Sequence, residues 1–263
     1  MQTTDIGTLG MLAVYAVLLL PFGLFHGFSL GLNRKLAVAV VRMSVQLTLV
    51  GLFLGVIFKW NNPALNVGWV ALMMVVANVH TLKSSRVRVR AFFFSSLAAI
   101  FAGTLLVVAV FLGLSIRPEP LYDARYLVPI TGMVLGNCMR SNIISLERFF
   151  SAVRSNRKEV QTYLSLGATR MEAVLPHMRR ALAAAVTPFL TTMATMGIVS
   201  LPGMMTGQML GGSFPLVAIK YQIGIMICIF SAVAVTSVLN MAFGVRIAFD
   251  GYDNLLPGVL SDD

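Results

Sequence analysis

Residues 200–213, "SLPGMMTGQMLGGS", gather soft and small side chains between two long apolar runs. Met205 and Met209 are four residues apart, so on a helix they share a face. Thioethers are ligands for soft ions such as Cu(I). They are also common gap-fillers in apolar cores, so filler and metal ligand both stand open. Gly203, Gly207 and Gly211 form G-x-x-x-G-x-x-x-G on another face, which lets a second backbone come close. Pro202 and Gly212 punctuate the two ends, so a helix, a re-entrant turn and an outer loop all fit.

Two arginines sit within apolar runs. Arg42 precedes Gln46 by four residues, and Gly132, Gly136 and Arg140 repeat at the same spacing. An intramembrane guanidinium is costly and faces a partner or a wet cavity. Alternatively, near the end of a span, it snorkels to the interface. No catalytic residue is expected. The chain has no H-E-x-x-H, no Ser–His pair within one span, and its carboxylates fall in loops, tails or span ends. Its three histidines, His26, His80 and His177, have no ligand-pair spacing, so ligand chemistry does not point to iron.

The elements that carry these residues are membrane helices. The chain is 57% hydrophobic and 11% charged, where a soluble domain carries roughly 25% charge. Apolar runs recur at about residues 6–26, 36–58, 64–80, 92–115, 126–147, 181–201 and 214–243, each about long enough to cross a bilayer. The fold expected is all-α: a polytopic membrane protein of about seven transmembrane helices, forming one domain over residues 1–263. The net charge of +10 lies mostly in short loops. That is a topology signal, not a nucleic-acid surface, and it puts the N-terminus outside and the C-terminus in the cytoplasm. Cys138 and Cys228 lie in apolar runs and read as buried thiols.

One cytoplasmic segment, about residues 148–180, is longer than the other loops and keeps helical periodicity. Phe149, Val153, Val160 and Leu164 share one face; Arg154, Lys158 and Gln161 share another, while the spacing puts Arg157 within the apolar stripe. Gly167 should end this helix, and Pro176 should bend the one that follows. An amphipathic helix on the anionic inner leaflet is one reading. A docking lever for a cytoplasmic partner is the other.

At "LSLGATRMEA" (164–173), together with "VPITGMVLGNCM" (128–139) and "SLPGMMTGQMLGG" followed by "AIKYQI" (200–212, 218–223), the chain resembles the FetB-like iron-export ABC permeases. Plant aluminium-tolerance half-transporters are relatives of that family. The resemblance implies the membrane permease subunit of an ABC-type exporter of iron or another metal, in the bacterial inner membrane. It implies a separate cytoplasmic ABC ATPase that binds the ATP and Mg, with Val160, Leu164, Gly167, Ala168, Thr169 and Arg170 in the coupling segment. Half-transporter logic adds a homodimer of permease chains. The sequence agrees by lacking the G-x-x-x-x-G-K-[ST] phosphate loop. A carrier or channel not driven by ATP, and a membrane receptor or scaffold, are the rival classes.

Overall fold

The computed structural model describes residues 6–251, 256 and 259. Asp5, Asp253, Asp262 and Asp263, four of the carboxylates assigned to tails, lie outside these. Every regular element among the described residues is helical. α1 (Thr8–Ala16) and α2 (Leu19–Gly27) occupy the first apolar run. They part at Val17–Leu18, because Pro21 has no N–H to return to the carbonyl four residues back. α3 (Asn33–Trp60) follows, then α4 (Pro63–Ser84) and α5 (Val89–Val110), which runs on through a π turn at Phe111–Ile116. α6 (Ala124–Ser155), α7 (Arg157–Ser165), α8 (Arg170–Thr195), α9 (Gly203–Leu210) and α10 (Pro215–Ala248) complete the chain.

Among the described residues, five helical stretches are long and apolar enough to cross a membrane: Thr8–Gly27, Asn33–Trp60, Pro63–Ser84, Val89–Ile116 and Pro215–Ala248. α6 and α8 have the length, at 32 and 26 residues, but carry more polar side chains. The segment 148–180 is helical on both sides of Gly167: α6 continues to Ser155, α7 follows, and α8 starts at Arg170 after the 166–169 turn.

α5, α6 and α10 form the centre of a body to which α4 and α8 add. At one end, Phe92, Phe149, Phe150, Val153, Met241 and Val245 make a shared core. Val160 of α7 and Val174 of α8 are buried in it too, and we refer to this as the α7 end. Toward the other end, Val107 and Phe111 of α5 pack with Val134 of α6 and Ile225 and Ile229 of α10.

Small residues set the helix separations. A Cβ at Gly103 of α5 would overlap the Thr236 side chain of α10. One at Gly224 would meet the Phe111 ring at 2.7 Å, and one at Gly244 the Phe150 ring at 3.2 Å. Polar side chains tie the same helices together. Ser237 donates to Asn142 Oδ1 across α10 and α6 at 2.9 Å, with both residues buried. In hydrocarbon such bonds act as interhelical glue.

The N-terminal helices are arranged differently. α1 and α2 bury no residue, and α3 buries only Ile57. The foot of α3 is held by a clasp: Asn61, in a left-handed conformation (φ 39°), accepts from Asn66 Nδ2 at 3.0 Å and from the Ala124 N–H at 3.1 Å. The Phe53 ring packs tilted against Trp69 of α4, with centroids 4.4 Å apart. Beyond that foot, α3 stands clear of the body.

Candidate functional site

The α7 end presents a helical hairpin. α7 ends at Ser165, Gly167 takes φ +89°, and α8 restarts at Arg170. That φ lies where L side chains are strained, which accounts for glycine at the turn. Thr169 then caps α8 through a reciprocal box. Its side chain accepts from the Glu172 N–H at 3.4 Å, and Glu172 Oε2 accepts from the Thr169 N–H at 2.7 Å. The Thr169 hydroxyl also donates to Glu172 Oε2 at 2.7 Å, and this bond, with that from the Thr169 N–H, holds the Glu172 carboxyl below its ordinary value. The T-x-x-E pattern at 169–172 is legible in the sequence but was not among its expected features.

The expected coupling residues divide by position. Val160 is buried and Leu164 half-buried against the shared core, so both anchor the hairpin. Gly167 and Thr169 are exposed; Ala168 and Arg170 are half-buried. Arg170 donates to the Asp250 carbonyl at 2.8 Å, and its guanidinium lies 5.5 Å from the Phe249 ring centre. The hairpin is thereby tied to the end of α10. The outward apolar residues are Leu166, 79% exposed, with Tyr163 and Met171. None of these three is among the expected coupling residues. Leu166 could have been found as an apolar residue out of phase with the Val160–Leu164 stripe. Arg157 is exposed rather than part of that stripe, because Asn156 interrupts the helix (φ −106°, ψ 32°) and resets its phase.

The glycine–methionine stretch folds as expected at its ends, with Pro202 before α9 and Gly212 at φ +95° after it. Among the described residues of the single chain, no other helix approaches the glycine seam. A Cβ at Gly203 or Gly207 would meet nothing within 4 Å, and at Gly211 it would meet only α9's own carbonyls. Gly51 and Gly55 of α3 are equally open. On α6 only Gly132 is approached, by the Met73 methyl at 3.1 Å; Gly136 and Arg140 are exposed. Arg42 and Gln46 are exposed on α3, where they line a shallow cleft with Arg34 and Lys35.

The two methionines also part company. Met205 lines a groove of about 620 Å³ between α8, the 196–202 connector, α9 and α10, and Met209 does not. Met193, Met196 and Met226 are further walls of that groove, and so is Gln222. Among the described residues, no three His, Cys, Asp or Glu side chains come together as a metal site. His177 is 1% exposed and lies beside a cleft with Glu147, Arg148 and Arg180 between α6 and α8.

A bundle of long apolar helices, glued by buried amides and hydroxyls, with a helical hairpin standing out at one end, defines a multi-pass membrane protein. The chain belongs to the uncharacterised protein family UPF0014, whose family model matches residues 8–249. It is 36% identical to the UPF0014 membrane protein slr1647 of Synechocystis over 87% of this chain and 88% of that one. It is 32% identical to the Arabidopsis thaliana protein ALUMINUM SENSITIVE 3, covering 87% and 82% of the two chains. It is also 32% identical to the probable iron export permease protein FetB of Escherichia coli, covering 87% and 85%. No solved structure matches. Slr1647 is named a membrane protein and FetB a probable permease, and this chain, with its long apolar helices, is a multi-pass membrane protein.

Proposed function

We propose that the chain is the membrane subunit of an ABC-type exporter, powered by a separate cytoplasmic ATPase that carries the ATP and Mg. In this reading α1–α2, α3, α4, α5 with its π turn, α6, α8 and α10 cross the membrane, about seven in all. The N-terminus faces outward and the α7 end faces the cytoplasm. The charge supports that orientation, since Lys83, Arg86, Arg88, Arg90, Arg148, Arg154, Arg157, Lys158 and Arg246 all flank the α7 end. Iron or another metal is the proposed cargo, supported by the name of the FetB relative.

The observation that carries the proposal is the hairpin tip. Leu166, Tyr163 and Met171 are exposed to solvent at the turn, while Val160, Leu164 and Arg170 fasten the same turn to the core and to α10. An apolar tip on a rigid base suits a docked partner whose motion must reach the membrane helices. Two copies of the chain complete the assembly. The open faces of α3 and of the Gly203–Gly207–Gly211 seam are where a second copy has room to pack.

The test is to purify the tagged chain with its bound ATPase, reconstitute the pair and measure ATP hydrolysis. The proposal expects an ABC ATPase whose activity rises in the complex. It expects Gly167→Pro to abolish that rise, because proline's φ near −65° cannot replace +89°. Unchanged stimulation by Gly167→Pro at wild-type yield would contradict coupling through this turn. Retention of an ATPase with no stimulation would make the chain a docking scaffold instead.

A further inference from the structure

Met226 belongs to the core around Ile225 and Ile229, and Met193 and Met196 pack against it. Methionines used only as filler close voids, yet these three and Met205 also line an open space of about 620 Å³. They come from four successive parts of the chain: Met193 from α8, Met196 from the connector, Met205 from α9 and Met226 from α10. No imidazole, carboxylate or thiol joins them in the wall.

A second observation points to an occupant. Gln222 is only 7% exposed and lines the same groove. Its Nε2 lies 3.8 Å from the Met196 sulfur, where it donates a weak hydrogen bond, while its Oε1 has no partner among the described residues. A buried carbonyl oxygen without a donor has lost water and gained nothing in return. A cation in the groove would satisfy it.

We infer that Met193, Met196, Met205 and Met226, with the Gln222 carbonyl oxygen, form a binding site for a soft monovalent d10 cation, Cu(I) or Ag(I). Neutral thioethers match such ions in softness, and a single positive charge needs no carboxylate to balance it. Hard divalent ions and Fe(II) favour carboxylate and imidazole ligands, which the groove lacks; the Gln222 carbonyl is the one oxygen in the proposed set. The groove therefore selects against the iron suggested by a relative's name. The inference rests on the permease reading only for what becomes of a bound ion. Binding itself is measured without ATP or a partner, so its failure would leave that reading standing, and failed ATPase stimulation would leave the site standing.

The experiment is an anaerobic titration of the purified full-length chain with Cu(I) against a chromophoric Cu(I) chelator. Ag(I) is titrated in parallel by calorimetry as a redox-inert probe. The expected result is saturable binding of both ions that competes with the chelator, and copper X-ray absorption dominated by sulfur neighbours. Replacing all four methionines with leucine should abolish it, and Met205→Leu alone should weaken it. Met209→Leu, outside the groove, should leave it unchanged. Gln222→Leu should lower affinity by roughly tenfold or more, the scale seen when a polar group supporting a metal is lost. Leucine nearly conserves volume, and matched unfolding midpoints will show that each variant is folded. The inference is overturned if the wild type holds neither ion. It is equally overturned if the four-leucine variant binds as well as the wild type, if Met209→Leu costs as much as Met205→Leu, if Gln222→Leu has no effect, or if Fe(II) binds more tightly than Cu(I).

Discussion

The N-terminal helices and the pair α5–α10 are alike in hydropathy and opposite in packing. The windows within Thr8–Gly27 and Asn33–Trp60 have mean hydropathies of 2.1 and 2.0, against 2.6 for Val89–Ile116 and 2.2 for Pro215–Ala248. Yet the first two are 0% and 6% buried, and the latter two are each 44% buried. Apolar character therefore selects the membrane but not the neighbour. Lipid tails are as apolar as leucine, so small and polar side chains decide which helices touch. α5 and α10 place theirs in register: Gly103 against Thr236, and Phe111 over Gly224. α3 has Gly51 and Gly55 with nothing against them.

The sharpest way to break this contrast is to put the same side chain on both sides of it. Gly103→Leu must displace Thr236, and overpacking of this kind costs about 1–3 kcal/mol or more. Gly51→Leu should leave the thermal unfolding midpoint of the detergent-purified chain unchanged. Equal losses would mean that α3 is packed as tightly as α5. Asn142→Val tests the polar half of the contrast. It strands the Ser237 hydroxyl and should cost about 1 kcal/mol in the same measurement, near the upper part of the range for such bonds in membranes. No loss would make the buried amide incidental.

Gly207→Val sharpens the account of the open faces. Within one chain a Cβ there meets nothing, so the unfolding midpoint should hold. If a second copy packs on the seam, the same variant shifts the particle mass from dimer to monomer in light scattering. An unchanged dimer would remove the seam from the copy–copy contact. Arg42→Ala on exposed α3 asks the same question of the other open face. It should leave folding intact and reduce transport only if the guanidinium faces a partner or pathway.

The smallest expected effect is at the capping box. Glu172 has a depressed carboxyl pKa in the folded protein, so its contribution is present above the unfolded value and lost as pH falls through the folded one. Amide exchange at Thr169, whose N–H donates to the Glu172 carboxylate, should quicken in acid relative to the intrinsic rate. Glu172→Ala should show the quicker exchange at neutral pH as well. Acid-independent protection would mean that the box does not hold the turn.

Much of this was readable in the sequence. Period, length and Gly167 gave the helices and the hairpin, because those signals are local. Phe149 and Val153 of α6 and Val160 of α7 are buried in one core, with Leu164 half-buried against it, although Asn156 divides them between two helices. What could not be read was pairing. Gly103 and Gly244 look no different in sequence from Gly51 and Gly55, since a close approach depends on the helix opposite. The regular G-x-x-x-G spacing at 203–211 drew attention to glycines that face open space. Likewise, spacing pairs Met205 with Met209, whereas the groove joins Met205 to residues as distant as Met193 and Met226. The buried amide of Asn142 was passed over because nothing local marks its partner, 95 residues away.

The central claim is that the exposed tip of the α7–α8 hairpin receives a cytoplasmic ATPase while its buried base holds it to the helices. The direct measurement is ATP hydrolysis by the reconstituted complex carrying Leu166→Asp. Leu166 makes no contribution to the core at 79% exposure, so the chain should fold and insert normally. The account predicts that stimulation of the ATPase is lost in this variant. Wild-type stimulation with aspartate at that position would contradict it.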